Sequence, residues 1–215
     1  MRLTAMALAA ASVLASLMGC NGWVSPTFDQ DNSKFFTVAS GLPLPGAFIG
    51  SAVQWNDDYA VTVAHIPLLS NRMYACSTRC DLAFIRHPAN APVPHWRQAK
   101  VGEFITALGL SPLFLPVRSG GRVAPMPFVN IDESNGERYA IHDAALVKGM
   151  SGGPVIADSD GSVLGINVGF TSHPLQPESL KRLSIFVPYS IIEREWRLFQ
   201  SRQIALVAGN QHPGE

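Results

Sequence analysis

Apolar and polar residues alternate with a period of two in short stretches along most of the chain, and each stretch stops at a cluster of Gly, Pro, Asn, Asp or Ser. This is the pattern of half-buried strands joined by turns. It predicts strands over 34–38, 47–54, 59–64, 72–76, 82–86 and 103–108 in the first half. Asn56-Asp57-Asp58 is the turn of a hairpin whose second arm delivers His65. Pro88, Pro92 and Pro94 mark a long loop before the last of these strands, and 110–118, interrupted by Pro112 and Pro116, reads as the linker between halves. Strands over 122–131, 138–142, 154–157, 162–170 and 183–187 repeat the pattern. Only 190–199 changes to helical periodicity, with Ser190 as its cap. The prediction is an all-β fold of two barrels followed by a C-terminal α-helix, with no internal repeat.

Composition agrees with a packed domain. The 215 residues are 47% hydrophobic and 15% charged, too apolar for disorder. Lys plus Arg equals Asp plus Glu at 16 each, and no run of like charge directs the chain to nucleic acid. The first residues bring a cell compartment into the picture. Arg2 precedes an apolar stretch over 3–18, short for a spanning helix, which needs ~20 residues, and built like an export signal. Leu17-Met18-Gly19-Cys20 resembles the bacterial lipobox, in which cleavage precedes a cysteine that is then lipidated. That resemblance implies an envelope lipoprotein anchored through Cys20, and Asn21 after the cysteine favours the outer membrane. The organisation read from the chain is a leader over 1–19, a polar tether over 20–33, a folded domain over 34–205 and a tail over 206–215.

With Cys20 taken by lipid, Cys76 and Cys80 remain as an even pair in an oxidising compartment. A metal site would need four ligands, and no partner C-x-x-C or H-x-x-x-H exists to supply them. A disulfide needs its Cα atoms within ~7 Å, whereas four extended steps span ~13 Å, so Ser77-Thr78-Arg79 must turn. The bridge would fix the chain just ahead of Asp81. The remaining histidines, His87, His95, His142, His173 and His212, are scattered and read as structural or solvent-facing.

The candidate chemistry centres on Gly149-Met150-Ser151-Gly152-Gly153-Pro154-Val155. A serine between glycines suits an acyl-transfer nucleophile, because bare backbone N–H groups can approach a substrate carbonyl; those of Gly149 and Ser151 are the candidate oxyanion donors. Alone the motif is also an ordinary turn. Upstream, however, an apolar strand delivers His65, and Asp81 heads another. A serine hydroxyl is a weak nucleophile without an adjacent base, and histidine held by aspartate supplies one. The order His, Asp, Ser is that of the two-barrel serine proteases.

Thr62-Val63-Ala64-His65, Asp81-Leu82-Ala83, Asp143-Ala144-Ala145-Leu146, the Gly149–Val155 loop, Gly161 to Asn167 and Phe186-Val187-Pro188 together resemble the trypsin/chymotrypsin-like superfamily. Within it they are closest to the protease domain of the bacterial Deg/HtrA-type enzymes. The resemblance runs over about 50–192 and implies two six-stranded antiparallel β-barrels with the site between them. It implies a serine endopeptidase acting on protein or peptide through His65, Asp81 and Ser151, without metal or organic cofactor. Ala145, Asn167, Val168 and Gly169 fall where that family lines its substrate pocket. The tail is too short for the PDZ module many Deg proteases carry. Two departures stand out: Met150 replaces the family's Asn, and only 15 residues separate His65 from Asp81.

Two other readings use the same residues. A protease-shaped binding lipoprotein would explain Met150 and the short His–Asp segment as lost catalysis. An α/β-hydrolase would need a helix after the serine, yet Pro154 to Ala157 reads as a strand ending in the turn Asp158-Ser159-Asp160-Gly161. Reaction with an active-site serine probe separates the first reading from the lipoprotein.

Overall fold

In a computed structural model, residues 18–19, 22–27, 34–40, 49–129, 136–172 and 182–209 are described. The leader before residue 18, Cys20 with its lipidation, His173, His212 and the last six residues lie outside them. The first half is one antiparallel sheet of β1 (Phe36–Ala39), β2 (Ile49–Gln54), β3 (Tyr59–Thr62), β4 (Arg72–Ala75) and β5 (Ala83–Arg86), in the order β1-β2-β3-β5-β4. The β2–β3 turn forms because the Asn56 side-chain oxygen accepts the N–H groups of Asp58 and Tyr59, both at 3.0 Å. Ala60, Val61 and Thr62 are all fully buried, so β3 reaches His65 from inside the core.

The second sheet contains β6 (Phe104–Leu110), β7 (Pro116–Arg122), β8 (Phe128–Val129), β9 (Arg138–His142), β10 (Pro154–Ala157), β11 (Val163–Ser172) and β12 (Arg182–Pro188). Its order is β8-β9-β12-β11-β10-β6-β7, with the two-residue strand Ser25–Pro26 added beyond β7. Two expectations need correction. The strand near 103–108 does not complete the first barrel, because β6 pairs with β7 and β10 of the second sheet. Likewise 110–118 is the turn and first part of the β6–β7 hairpin. The connection between halves is the proline-bearing stretch from His87 to Glu103. Alternation alone told that 103–108 is a strand, not which sheet would take it. Among the described residues the first sheet therefore has five strands, not the six expected.

That connection is fastened to both halves. Trp96 donates its indole N–H to the Gln54 carbonyl at 3.1 Å, while Arg97 pairs with Glu103 and Asp160, each at 2.8 Å. After β12 the helix α1 (Tyr189–Gly209) folds back over the first sheet. Trp196 and Phe199 meet Phe84 and Tyr59 with ring centroids 5.2 to 6.2 Å apart. Of these Phe84 and Phe199 are buried, each contributing about 1.5–3 kcal/mol, while Tyr59 and Trp196 are half-buried. The stretch read as a tether also touches the domain. Val24 and Thr27 are buried, and the Thr27 N–H donates to the Pro116 carbonyl at 2.9 Å.

Candidate active site

His65 and Asp81 meet between strands of the first sheet. The Asp81 carboxylate accepts two N–H groups from His65: the backbone N–H at 2.9 Å and the ring Nδ1–H at 2.6 Å. A carboxylate only accepts, so Nδ1 carries the proton and the free lone pair lies on Nε2. The His65 side chain is 49% exposed and that of Asp81 only 16%, so the acceptor lies inside and the imidazole faces solvent. The hydrogen bond to Asp81, and to a lesser extent the charge of that carboxylate, hold the His65 pKa above the ordinary 6.5, against the opposing pull of burial.

Asp81 is aimed by groups far away in sequence. Its backbone N–H donates to the Tyr139 hydroxyl, from β9 of the second sheet, at 3.0 Å. The loop ahead of it is closed by the Cys76–Cys80 disulfide, with Cα atoms 5.3 Å apart, and Arg79 turns the chain at φ 63°. The fully buried Glu195 of α1 accepts from the Ser77 N–H at 2.7 Å and from the Tyr74 hydroxyl at 2.8 Å. Glu137 accepts from the Thr78 hydroxyl, and Arg194 joins the two carboxylates at 2.6 and 2.8 Å. Tyr139, Glu137 and Glu195 escaped the sequence reading. Of the three, only Glu195 leaves a local trace, a charge on the stripe formed by Ile192, Trp196 and Phe199.

Ser151 sits on a turn that its glycines make possible. Gly149 and Gly152 adopt φ of 94° and 81°, the left-handed region that other residues avoid. A Cβ on Gly152 would lie 1.9 Å from the Ser51 carbonyl oxygen. The Gly152 N–H donates to the Asn167 carbonyl at 2.7 Å and the Ser151 carbonyl accepts from the Ser51 N–H at 2.7 Å. Among the described residues the N–H groups of Gly149 and Ser151 have no hydrogen-bond partner. Met150 is fully buried in the second core with Leu146, Val147 and Val155, so its side chain is not offered to solvent beside Ser151.

The Ser151 hydroxyl donates to the Val168 carbonyl at 3.0 Å, and no hydrogen bond joins it to His65. Of the other residues expected to line a pocket, Ala145 is buried and Gly169 has open space where a side chain would be. The Asn167 side chain is turned inward, donating to the carbonyls of Gly153 at 3.1 Å and Leu108 at 3.3 Å, and accepting from His142 Nε2 at 3.1 Å. His142 is itself fully buried, and that burial pushes its pKa down to about 4.

A sequence profile of the trypsin-like peptidase domain matches residues 56–166, which span both His65 and Ser151. No curated protein is matched. Among solved structures, the HtrA-type protease AlgW with a tripeptide superposes with a TM-score of 0.63 at 17% identity, over 79% of this chain and 60% of that one. The serine endoprotease from Yersinia pestis gives 0.59 at 19% identity, over 80% and 67%. The Rv3671c protease, in its inactive form, gives 0.59 at 17%, over 81% and 97%. The chain thus spans about three fifths of AlgW, and likeness at this identity speaks for the fold. The profile covers more than half of the sequence, and it establishes that the chain belongs to the trypsin-like peptidase family.

Proposed function

We propose that this chain is a serine endopeptidase with Ser151 as nucleophile, His65 as general base and acid, and Asp81 as the group that orients and charges the imidazole. The observation that carries the reading is the Asp81 carboxylate engaging both N–H groups of His65, together with a glycine turn at Ser151 whose Gly149 and Ser151 N–H groups have no partner among the described residues. On substrate arrival the Ser151 hydroxyl leaves Val168, passes its proton to His65 Nε2 and attacks the scissile carbonyl. The oxyanion accepts from the Gly149 and Ser151 N–H groups. Collapse expels the amine, which takes the proton from His65 and leaves an acyl-enzyme on Ser151. Water, deprotonated by the same imidazole, then releases the acid and restores the serine.

The small Ala145, six residues before the nucleophile, supports cleavage after Ala, Val or Leu rather than after Arg or Lys. The Leu17–Cys20 pattern supports anchoring in the bacterial envelope through lipid on Cys20. Burial of Val24 would then keep the domain close to the membrane, with polypeptides at that surface as substrates. Peptide-library profiling of the mature chain tests the activity. Wild type is expected to cleave after small apolar residues, and Ser151→Ala or His65→Ala to lose at least about 10³-fold in kcat/KM. Cleavage that survives either substitution would overturn the mechanism, and an Arg or Lys profile would overturn the specificity. Cys20→Ser should release the chain from membranes; material that stays bound with unchanged mass would exclude the anchor.

A further inference from the structure

Resting on that reading of the site, we infer that Ser51 is the positioning residue of the oxyanion turn: its side chain and backbone hold the two carbonyls that flank the donor peptide. Ser51 lies on β2 in the first sheet and is fully buried. Its hydroxyl donates to the Gly149 carbonyl at 3.0 Å, and its N–H donates to the Ser151 carbonyl at 2.7 Å. Its own carbonyl accepts the Thr62 hydroxyl at 2.7 Å, so the clamp is itself tied to β3, which leads to His65. One residue of the first half thereby grips both ends of Gly149-Met150-Ser151 in the second.

The peptides on either side of the Met150–Ser151 bond are each fixed twice. In one, the Met150 N–H donates to Val147 at 3.2 Å while Ser51 holds the Gly149 carbonyl. In the other, the Gly152 N–H donates to Asn167 at 2.7 Å while Ser51 holds the Ser151 carbonyl. Gly149 needs such a hold. At φ 94° without a Cβ, its own sterics leave ψ soft, and ψ decides how its N–H and that of Ser151 converge. A donor that must find its direction during the reaction loses the benefit of preorganisation. The Ser51 hydroxyl supplies the direction beforehand and touches neither substrate nor reacting atoms.

The test is Ser51→Ala, which removes one oxygen and keeps the backbone bond to Ser151. With a peptide p-nitroanilide ending in Ala or Val, kcat should fall about tenfold, less than the 10²–10³ lost with an oxyanion donor itself, while KM stays within about twofold. A peptide boronic acid of the same sequence, whose tetrahedral adduct places an oxygen in the hole, should bind about tenfold more weakly. The acid limb of the pH profile should not move, because His65 and Asp81 are untouched. Ser51→Cys, with a weaker donor, should fall between the two and carries the same test if the alanine variant does not fold. Unchanged kcat and boronate affinity would overturn the inference, as would a loss confined to melting temperature. Wild-type protein that neither cleaves nor takes the boronate would instead overturn the peptidase reading itself.

Discussion

The turn around Ser151 and the loop before Asp81 are held by different means. The turn around Ser151 is fixed by backbone contacts so close that side chains are excluded from them, as at Gly152 against the Ser51 carbonyl. The loop before Asp81 is fixed by side chains: a disulfide, two carboxylates bridged by Arg194, and the Tyr139 hydroxyl. A backbone-built turn has no tolerance, since any added atom collides. A loop held by several side chains has redundancy, since each restraint covers in part for another. The nucleophile side should therefore fail abruptly on substitution and the aspartate side by degrees.

The largest effect is expected at Gly152. Gly152→Ala puts a Cβ against backbone in a left-handed conformation and should cost about 4 kcal/mol, enough to unfold much of a marginal domain. Gly169→Ala, two residues past Asn167 with open space around it, should change stability by less than about 0.5 kcal/mol. Chemical denaturation of the two variants measures the contrast, and equal losses would refute it.

On the aspartate side, Glu195→Gln keeps the shape and removes the charge that receives Ser77, Tyr74 and Arg194. It should cost about 2 kcal/mol and lower kcat/KM about tenfold, as a catalytic group drifts by a fraction of an ångström. Cys76→Ser with Cys80→Ser should lower kcat/KM only about threefold, because Glu195 and Glu137 still hold the loop. The disulfide contributes only ~2 kcal/mol through its small loop, so activity should respond more than melting temperature. Combining the cysteine and glutamate changes should lose more than the product of the separate losses. A purely multiplicative result would show that the restraints act independently.

A further effect, spread over a pH interval, separates the halves. His142 is held neutral by burial on the nucleophile side, with a folded pKa of about 4 against 6.5 when unfolded. The unfolded chain then binds the proton more readily, so stability from this group is complete above pH 6.5 and lost as pH falls towards 4, by ~3 kcal/mol in all. His142→Gln should flatten the fall in unfolding free energy over that interval. Identical slopes for wild type and variant would exclude the assignment.

Much of this was legible in the sequence, for local reasons. Most strand positions, the Asn56 turn and the candidate residues His65, Asp81 and Ser151 each rest on a short run of residues. The nucleophile turn announces itself because its backbone restraints demand glycine, which leaves a motif. The aspartate loop leaves almost none: Thr78 and Glu137 lie 59 positions apart, Ser77 and Glu195 118, and no periodicity connects them. Ser51 passed unnoticed for the same reason, its partner Gly149 being 98 positions away. The allocation of β6 to the second sheet was hidden because alternation reports a face to bury and not the sheet that buries it.

The claim that one half supplies the base and the other the nucleophile is tested most directly by fluorophosphonate labelling of the purified domain across pH. The account predicts one adduct per chain on Ser151, with a labelling rate that rises through a midpoint above 6.5, because Asp81 raises the pKa of the imidazole that must be neutral to act. Asp81→Asn should lower that midpoint and slow labelling by roughly 10³–10⁴-fold. A chain that takes no label, or one whose labelling persists in Ser151→Ala, would contradict it.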